Sequence, residues 1–247
     1  MRTIKIVLEY DGTHFLGFQK QKKGRTVQKE LEKALLRILR ERVRVNPAGR
    51  TDSGVHARGQ VAHFSTKSKI PLYNLQRALN TYLPHDIAVK EIEAAPSDFH
   101  ARFKAKRKVY SYRILMGQTR SPLSRFHATH YGHPLNVSRM RKGARLLCGE
   151  HDFRSFQAHA DGEQSSVRTL YSVRLKEQKP YLTVTFEGNG FLYNMVRNMV
   201  GTLLELGRGK ITLGEFKKIL ESRDRCLAGP TAPPQGLTLE KVVYERS

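Results

Sequence analysis

The sequence predicts an α+β protein made of two ferredoxin-like halves that are joined by an extended antiparallel sheet. Short stretches in which apolar and polar residues alternate are typical of half-buried strands, and they recur along the whole chain. Between them lie stretches with apolar residues at helical spacing, so that the order β-α-β-β-α-β occurs twice. The predicted domains are residues 1–104 and residues 105–247, and a chain of 247 residues suffices for a sizeable core.

The first half contains six predicted elements. Strands are expected over residues 3–10, 43–47, 60–65 and 86–92, and helices over residues 26–41 and 72–82. Ile4, Ile6 and Leu8 share one face of the first strand, because side chains alternate along a strand. Thr26 is placed to cap the first helix, and Pro84 lies just beyond the end of the second.

The second half repeats this order and adds a short helix before its last strand. Strands are expected over residues 109–115, 167–175, 181–186 and 237–244, and helices over residues 137–147, 192–206 and from residue 212. Gly149 closes the first of these helices, and Thr212 with Glu215 forms a capping box for the last. The halves share no evident sequence identity, so the repeat is predicted from the order of elements alone.

The chain is strongly basic, with 44 Lys and Arg residues against 22 Asp and Glu residues and a formal net charge of +22. Such an excess predicts affinity for the phosphate backbone of a nucleic acid, and we expect RNA; this affinity weakens with salt. A membrane is the other partner of basic proteins, but no apolar run reaches the roughly 18 residues of a membrane-spanning helix. Residues 1–5 lack the layout of a signal peptide, so we expect a cytoplasmic protein.

Two basic segments are candidates for RNA contact. Residues 102–108 carry five cations in seven positions and adjoin Tyr110 and Tyr112, an arrangement typical of sites where bases stack on aromatic rings. A solvated charged face is the alternative interpretation of this run. The cations of the second segment form a loop before the first helix: Lys20, Lys22, Lys23 and Arg25.

One carboxylate is distinguished by its surroundings. Asp52 lies in the segment GRTDSGVH at residues 49–56, between two glycines and two residues after Arg50. A carboxylate in such a turn, with a cation nearby, suits a solvent-reachable nucleophile, whereas an Asp that caps a turn is the alternative. Metal-dependent nucleases and phosphatases usually need several carboxylates, and residues 43–64 contain no second acid.

A second candidate is Arg197, in the predicted helix over residues 192–206. Helical spacing places it on an apolar face with Tyr193, Val200, Gly201 and Leu204. A buried arginine needs an anion, and because this helix is short of acids, Asp52 is a candidate partner. The alternative is that Arg197 reaches the surface along its aliphatic stem.

Three further features have open alternatives. Tyr110 is either a ring that stacks on a base or an ordinary half-buried residue of the sheet. The loop at residues 228–236 is rich in Pro and Gly, and it either lines a pocket or simply connects two elements. His127, His130 and His133 recur at every third position, but in a strand or loop rather than on a helix, so we predict surface or RNA-facing histidines rather than a metal site.

Several short motifs follow one another in order from residue 3 to about residue 243. They include YDG at 10–12, GFQ at 17–19, AGRTD at 48–52, GVHA at 54–57, DFHARF at 98–103, GEHDF at 149–153 and MVRNMVG at 195–201. Together these motifs resemble the TruA family of tRNA pseudouridine synthases. Two positions depart from the family pattern: Ser53 stands where Ala is common, and Phe18 stands where relatives often have Trp.

The resemblance implies the pseudouridine synthase fold with a central RNA-binding cleft, in a homodimer that needs no metal or organic cofactor. It also implies that uridine is isomerised to pseudouridine in the anticodon stem-loop of tRNA, at positions 38, 39 and 40. Asp52 is then the nucleophile and Arg197 its ion-pair partner. Arg50 helps to extrude the target nucleotide, and Tyr110 stacks on its uracil. The alternative function is that of a non-catalytic RNA-binding or ribosome-associated protein.

Overall fold

The structure, a computed structural model, describes residues 1–158 and 165–245. The chain forms two compact units, of which the first contains residues 1–106 and 238–247 and the second contains residues 107–237. Each unit combines strands with helices, and most strand pairs are antiparallel, so the predicted α+β class is confirmed. The ferredoxin-like organisation of the halves stays a prediction. Within the described ranges, no helix is long and apolar enough to cross a membrane.

The described residues form ten strands and five α-helices. The strands are β1 (Arg2–Tyr10), β2 (Asn46–Pro47), β3 (His56–Thr66), β4 (Ile87–Ala95), β5 (Arg107–Met116), β6 (Thr129–Tyr131), β7 (Gly149–Asp152), β8 (Val167–Gln178), β9 (Tyr181–Gly188) and β10 (Leu237–Val243). The helices are α1 (Val27–Leu39), α2 (Leu72–Tyr82), α3 (Val137–Leu146), α4 (Met195–Gly207) and α5 (Leu213–Ser222).

The strands of the first unit follow the order β4-β1-β3-β10, with β2 attached to β3. β1 pairs antiparallel with β3 and β4, whereas β10 runs parallel to β3, with Thr238 opposite His56. The apolar side chains of α1 that enter the core are fully buried: Val27, Leu31 and Leu35. The predicted cap of α1 is confirmed, because the side chain of Thr26 accepts a hydrogen bond from the Lys29 N–H.

β3 is longer than the sequence predicts, because polar residues at its start are buried. The predicted strand covers residues 60–65, but the observed strand begins at His56. Gln60 has no exposed surface, and its Nε2 donates to the carbonyl of Gly49 at 2.8 Å. A polar side chain that is hydrogen-bonded can be buried, so the apolar alternation that marks a strand is missing here. The predicted strand over residues 43–47 is reduced to the two residues of β2.

The strands of the second unit follow the order β5-β9-β8-β7, with β6 parallel to β5. α4 is buried at most positions and packs against α3 and α5, and the predicted capping box of Thr212 and Glu215 is confirmed at the start of α5. α4 begins at Met195, three residues later than predicted, because Asn194 has a left-handed backbone with φ 58°. The strands β6 and β7 were not predicted, since so few residues show no alternation.

His63 on β3 makes the stability of the first unit depend on pH. The residue is 7% exposed, and its Nδ1 accepts a hydrogen bond from the Ala101 N–H at 3.1 Å, which requires an unprotonated nitrogen. Burial lowers the pKa of His63 from its usual 6.5, and electrostatic interaction with the neighbouring imidazole of His100 lowers it further, whereas a hydrogen bond to the backbone of Asn46 acts in the opposite direction. Below pH 6.5 the unfolded chain binds a proton that the folded chain resists, so stability is lost as the pH falls.

We expect the free energy of unfolding of the wild type to fall more steeply than that of a His63→Gln variant between about pH 7 and pH 5. Glutamine can accept the hydrogen bond from Ala101 but does not titrate. Urea unfolding at several pH values measures both slopes, and His133→Gln, at an exposed position, is the control. Equal slopes for the wild type and His63→Gln would contradict this assignment.

Candidate active site

Asp52 lies in the aspartate loop, residues 48–55, which leads from β2 into β3. The loop turns at Asp52, whose carbonyl accepts a hydrogen bond from the Val55 N–H at 3.2 Å. Gly54 within the turn has φ 77°, a conformation that favours glycine. Asp52 is half-buried and Arg50 is exposed. The loop therefore presents one carboxylate with an exposed cation two residues away.

A second segment, which we call the clamp loop (residues 11–18), holds the aspartate loop through backbone hydrogen bonds. The Phe18 N–H donates to the carbonyl of Thr51 at 3.1 Å, and the Gly54 N–H donates to the carbonyl of Phe15 at 3.2 Å. Because these two bonds lie on either side of the carboxylate, they fix the backbone that carries it.

Two glycines of the clamp loop allow the two backbones to approach each other closely. A Cβ at Gly12 would lie 2.0 Å from the carbonyl oxygen of Val55, and a Cβ at Gly17 would lie 2.5 Å from that of Thr51. Both obstacles are backbone atoms, which cannot rotate away as a side chain can. Gly17 also has φ 91°, which disfavours any other residue. The motifs YDG and GFQ are therefore explained by packing against the aspartate loop.

Side chains of β1 and β3 support the aspartate loop. The hydroxyl of Tyr10 lies 2.7 Å from Thr51 Oγ1, and Gln60 binds the carbonyl of Gly49 as described above. Burial raises the pKa of Tyr10 to about 12, although its hydrogen bonds with Thr51 and Gln60 act in the opposite direction. Tyr10 therefore stays neutral at physiological pH, and its hydroxyl remains available as a hydrogen-bond donor.

Arg25, one of the four cations of the basic loop before the first helix, is anchored within the first unit, and contact of that loop with RNA stays a prediction. Its Nη1 and Nη2 lie 2.5 Å and 2.8 Å from the two carboxylate oxygens of Asp86. Its guanidinium carbon also lies 4.2 Å from the centre of the Phe15 ring, in the clamp loop. A bidentate pair is geometrically specific, so Arg25 positions the clamp loop. Sequence reasoning missed this role because Asp86 is 61 positions away.

Arg197 lies on α4 and is half-buried. Its Nε donates to the carbonyl of Ala232 at 2.7 Å, and its Nη1 donates to Asn194 Oδ1 at 3.0 Å. The guanidinium is therefore oriented by the segment at residues 228–236, which we call the proline-glycine loop. Tyr193, which was predicted to share a buried face with Arg197, precedes the helix and is 50% exposed.

The proline-glycine loop docks closely on α4. A Cβ at Gly201 would lie 1.7 Å from the carbonyl oxygen of Pro230, so only glycine allows this approach. The Gly229 N–H donates to Thr202 Oγ1 at 2.9 Å. These contacts explain the last glycine of the MVRNMVG motif, and they make the loop a support for the helix rather than a simple connector.

Tyr110 and Tyr112 lie on β5, two positions apart and therefore on the same face. Tyr110 is 7% exposed, and its ring centre lies 5.1 Å from that of Phe191 in an edge-on arrangement. The hydroxyl of Tyr112 donates to the carbonyl of Pro233 at 2.7 Å, which ties β5 to the proline-glycine loop. Burial raises the pKa of Tyr112, so this hydroxyl keeps its proton. Only a small part of the Tyr110 ring is open to a base.

The four predicted site residues are divided between the two units. Arg50 and Asp52 share the aspartate loop of the first unit, whereas Tyr110 and Arg197 lie on β5 and α4 of the second. The catalytic and binding roles assigned to them stay predictions.

Comparison with known proteins identifies the family. A sequence profile described as tRNA pseudouridine synthase matches residues 6–104 and 144–245. A protein of Thermoanaerobacter sp. (strain X514) named tRNA pseudouridine synthase A is 47% identical over 244 residues, which cover 99% of this chain and 100% of the relative. Proteins of the same name from Geobacter sulfurreducens and Streptococcus equi subsp. equi are 48% and 43% identical, again over 99% of this chain and 100% of each relative.

The matched ranges cover the residues that build the aspartate loop, the clamp loop and α4, and the matches define an enzyme class: an isomerase that converts uridine to pseudouridine. The chain belongs to the tRNA pseudouridine synthase family, in its TruA group, as its motifs predict. The predicted enzyme class is thereby confirmed, and the alternative of a non-catalytic RNA-binding protein is not supported.

We expect a Gly17→Ala variant to be less stable and to isomerise uridine at least about tenfold more slowly. The left-handed backbone costs a residue with a Cβ roughly 1 kcal/mol or more, and the clash with Thr51 must displace the aspartate loop. Thermal unfolding and turnover are compared with those of Gly132→Ala, where the nearest neighbour of a Cβ lies 3.7 Å away. Normal turnover in folded Gly17→Ala would show that the clamp loop does not position Asp52.

Proposed function

We propose that this chain isomerises uridine to pseudouridine in the anticodon stem-loop of tRNA, at positions 38, 39 and 40, with Asp52 as the nucleophile. The observation that carries the proposal is the aspartate loop, in which hydrogen bonds hold the backbone on both sides of the half-buried Asp52. The names of the relatives support tRNA as the substrate. The resemblance of the motifs supports the three positions.

The reaction needs little beyond a fixed carboxylate. The N1–C1′ bond of uridine breaks, the base turns and C5 is joined to C1′. The hydrogen on C5 leaves as a proton and N1 takes up a proton, so that atoms and electrons balance without an oxidant or reductant. A carboxylate can attack the sugar, attack the uracil ring or begin a glycal route by removing a proton. Each route fits one Asp, since an ordinary carboxylate is ionised at neutral pH and needs no separate base.

Arg50, Tyr110 and Arg197 take the roles that the motifs assign to them. Arg50 is exposed, so it can enter the space of a nucleotide that leaves its stack, a step that costs a few kcal/mol. Tyr110 contacts the uracil with the small part of its ring that is exposed. Arg197 pairs with Asp52 and keeps the carboxylate ionised and aimed. The hydrogen bonds that orient Arg197 within its own unit support this role, because a pre-oriented guanidinium loses less entropy on pairing.

We expect tRNA binding to weaken steeply with salt, because the net charge of +22 favours contact with phosphates. The logarithm of Kd should rise linearly with the logarithm of the salt concentration, with a slope that corresponds to several phosphate contacts. Fluorescence anisotropy with labelled tRNA, from about 50 mM to 200 mM KCl, measures the slope. A flat response would exclude docking that is led by phosphates.

The resemblance also leads us to propose a homodimer that acts in the cytoplasm without a metal or an organic cofactor. Size-exclusion chromatography with light scattering tests the dimer, and turnover in excess chelator tests the independence from metal.

Tritium release from tRNA labelled at uridine C5 tests the proposed function, because formation of the C5–C1′ bond expels that hydrogen. The wild type is expected to release one tritium for each uridine that it converts. Replacing the uridines at positions 38, 39 and 40 by cytidine, one at a time, should remove the release that each contributes. No release from a tRNA that binds tightly would overturn the proposal.

A further inference from the structure

We propose that the exposed ring of Phe103 is a stacking platform for an unpaired nucleobase of the bound RNA, in addition to the residues assigned to the target uridine. The inference rests on the proposed function, because it takes tRNA as the bound molecule. Phe103 is 76% exposed, although a large apolar side chain gains free energy by leaving water. The motif DFHARF ends at this residue, and neither the fold nor the site described above uses its ring.

The ring of Phe103 is held in a fixed orientation by His100. The two ring centres lie 4.3 Å apart with 28° between their planes, so the rings are stacked. Nδ1 of His100 accepts hydrogen bonds from the backbone N–H groups of Arg102 at 3.2 Å and Phe103 at 3.4 Å, and its carbonyl accepts one from the Lys104 N–H at 3.0 Å. One face of the phenyl ring is therefore covered, and the exposed area includes the opposite face.

His100 is itself supported by the core of the first unit. Its ring meets that of His63 at 4.7 Å, and His63 is buried on β3. A ring that is already held by two layers of side chains loses little conformational entropy when a base stacks on it. This rigidity distinguishes Phe103 from an apolar side chain on a mobile loop.

Charge complementarity favours RNA as the molecule that stacks on Phe103. The cations of the run at residues 102–108 differ in whether they pair with a carboxylate. Three of them face carboxylates within their own unit: Lys104 with Asp98 at 2.7 Å, Lys106 with Glu245 at 2.8 Å and Arg107 with Glu187 at 3.3 Å. Arg102 is exposed, and its guanidinium carbon lies 5.8 Å from the centre of the Phe103 ring. An exposed cation and an exposed aromatic ring this close together can bind the phosphate and the base of one nucleotide.

The base must be an unpaired one. A base inside a helix is stacked on both faces, whereas bases of loops and single strands can turn out and stack on aromatic side chains. Such stacking tolerates any base, because every base has a π-face. The platform therefore adds affinity for single-stranded nucleotides of the substrate without reading their sequence.

The chain contains no tryptophan, so a Phe103→Trp variant carries a single indole fluorophore. The matched control is Tyr73→Trp, since Tyr73 is 68% exposed and has the guanidinium carbon of Arg77 at 5.6 Å from its ring centre. Stacking on a base quenches indole, so tRNA and single-stranded oligouridylate should each lower the fluorescence of Phe103→Trp by about half or more. A blunt RNA duplex should leave the fluorescence of Phe103→Trp unchanged. The fluorescence of Tyr73→Trp should change with none of the three RNAs.

Affinity gives the second readout. Phe103→Leu should weaken tRNA binding by about tenfold without changing the slope of log Kd against log salt, because no phosphate contact is lost. Tyr73→Leu should bind as the wild type does. Tritium release by the wild type is measured on the same samples, so a failure of the proposed function is seen separately. If the wild type turns over but neither quenching nor loss of affinity occurs, the platform is refuted. Quenching that depends on protein concentration in the absence of RNA would refute it too, since it would assign the ring to a protein contact.

Discussion

The Asp52→Ala variant is expected to release no tritium from tRNA labelled at C5, a loss of at least about 10⁴-fold in turnover. The proposed reaction uses one carboxylate as its nucleophile, and residues 43–64 offer no second acid that could replace it. Asp52→Asn should be equally inactive, because it keeps the shape of the side chain but removes the charge. Measurable release above about one percent of the wild-type rate would show that Asp52 is not the nucleophile.

The same variant should keep its fold and its affinity for tRNA. The hydrogen bonds that hold the aspartate loop come from backbone atoms of Thr51 and Gly54, so they do not need the Asp52 side chain. Ser53→Ala is the matched control in the same turn. It removes a hydroxyl that donates to the carbonyl of Phe15 at 3.2 Å, and it should retain turnover. If Tm and the Kd for tRNA change little in both variants, the loss of turnover in Asp52→Ala is due to the chemical step and not to a change in structure.

Arg197→Met is expected to lower turnover by about 10²- to 10³-fold with little change in the Kd for tRNA. Methionine fills similar space but carries no charge to pair with the nucleophile. Arg197→Lys keeps the charge and should restore part of the rate, although it lacks the fork that binds both Ala232 and Asn194. Normal turnover in Arg197→Met would remove the ion pair from the mechanism.

Arg225→Met is the control for the proline-glycine loop. Nη2 of Arg225 donates to Asn198 Oδ1 at 3.0 Å and to Thr231 Oγ1 at 3.1 Å, so it holds the same loop without an assigned role towards the substrate. If both arginine variants lose turnover equally, Arg197 acts by positioning the loop. A loss confined to Arg197→Met supports a direct role at the carboxylate.

Elements with a strong apolar period were predictable from the sequence. α1 was expected over residues 26–41 and runs from Val27 to Leu39, because its apolar residues recur at helical spacing behind a good cap. The prediction was poorest where polar residues are buried. The start of β3 carries His56 and Gln60, whose burial depends on partners that the local sequence does not reveal.

The candidate site was predictable in its residues but not in its support. Motifs single out Asp52, yet nothing local indicates that Gly17 approaches Thr51 or that Arg25 binds Asp86. These contacts join segments that are distant in the sequence, and a pattern of spacing carries information only about neighbours. For the same reason, the sequence does not indicate that residues 238–247 belong to the first unit.

The pairing of β10 with β3 has a consequence for the order in which the two units are completed during synthesis. β3 begins at His56, directly after the aspartate loop, and His56 lies opposite Thr238 of β10. This end of the loop is therefore next to a strand that is translated much later than the loop itself. A nascent chain that has emerged only as far as residue 106 lacks that strand, and residues 107–237 must follow before it appears. The first unit, which carries the aspartate loop, is therefore completed only after all of the second unit has been synthesised.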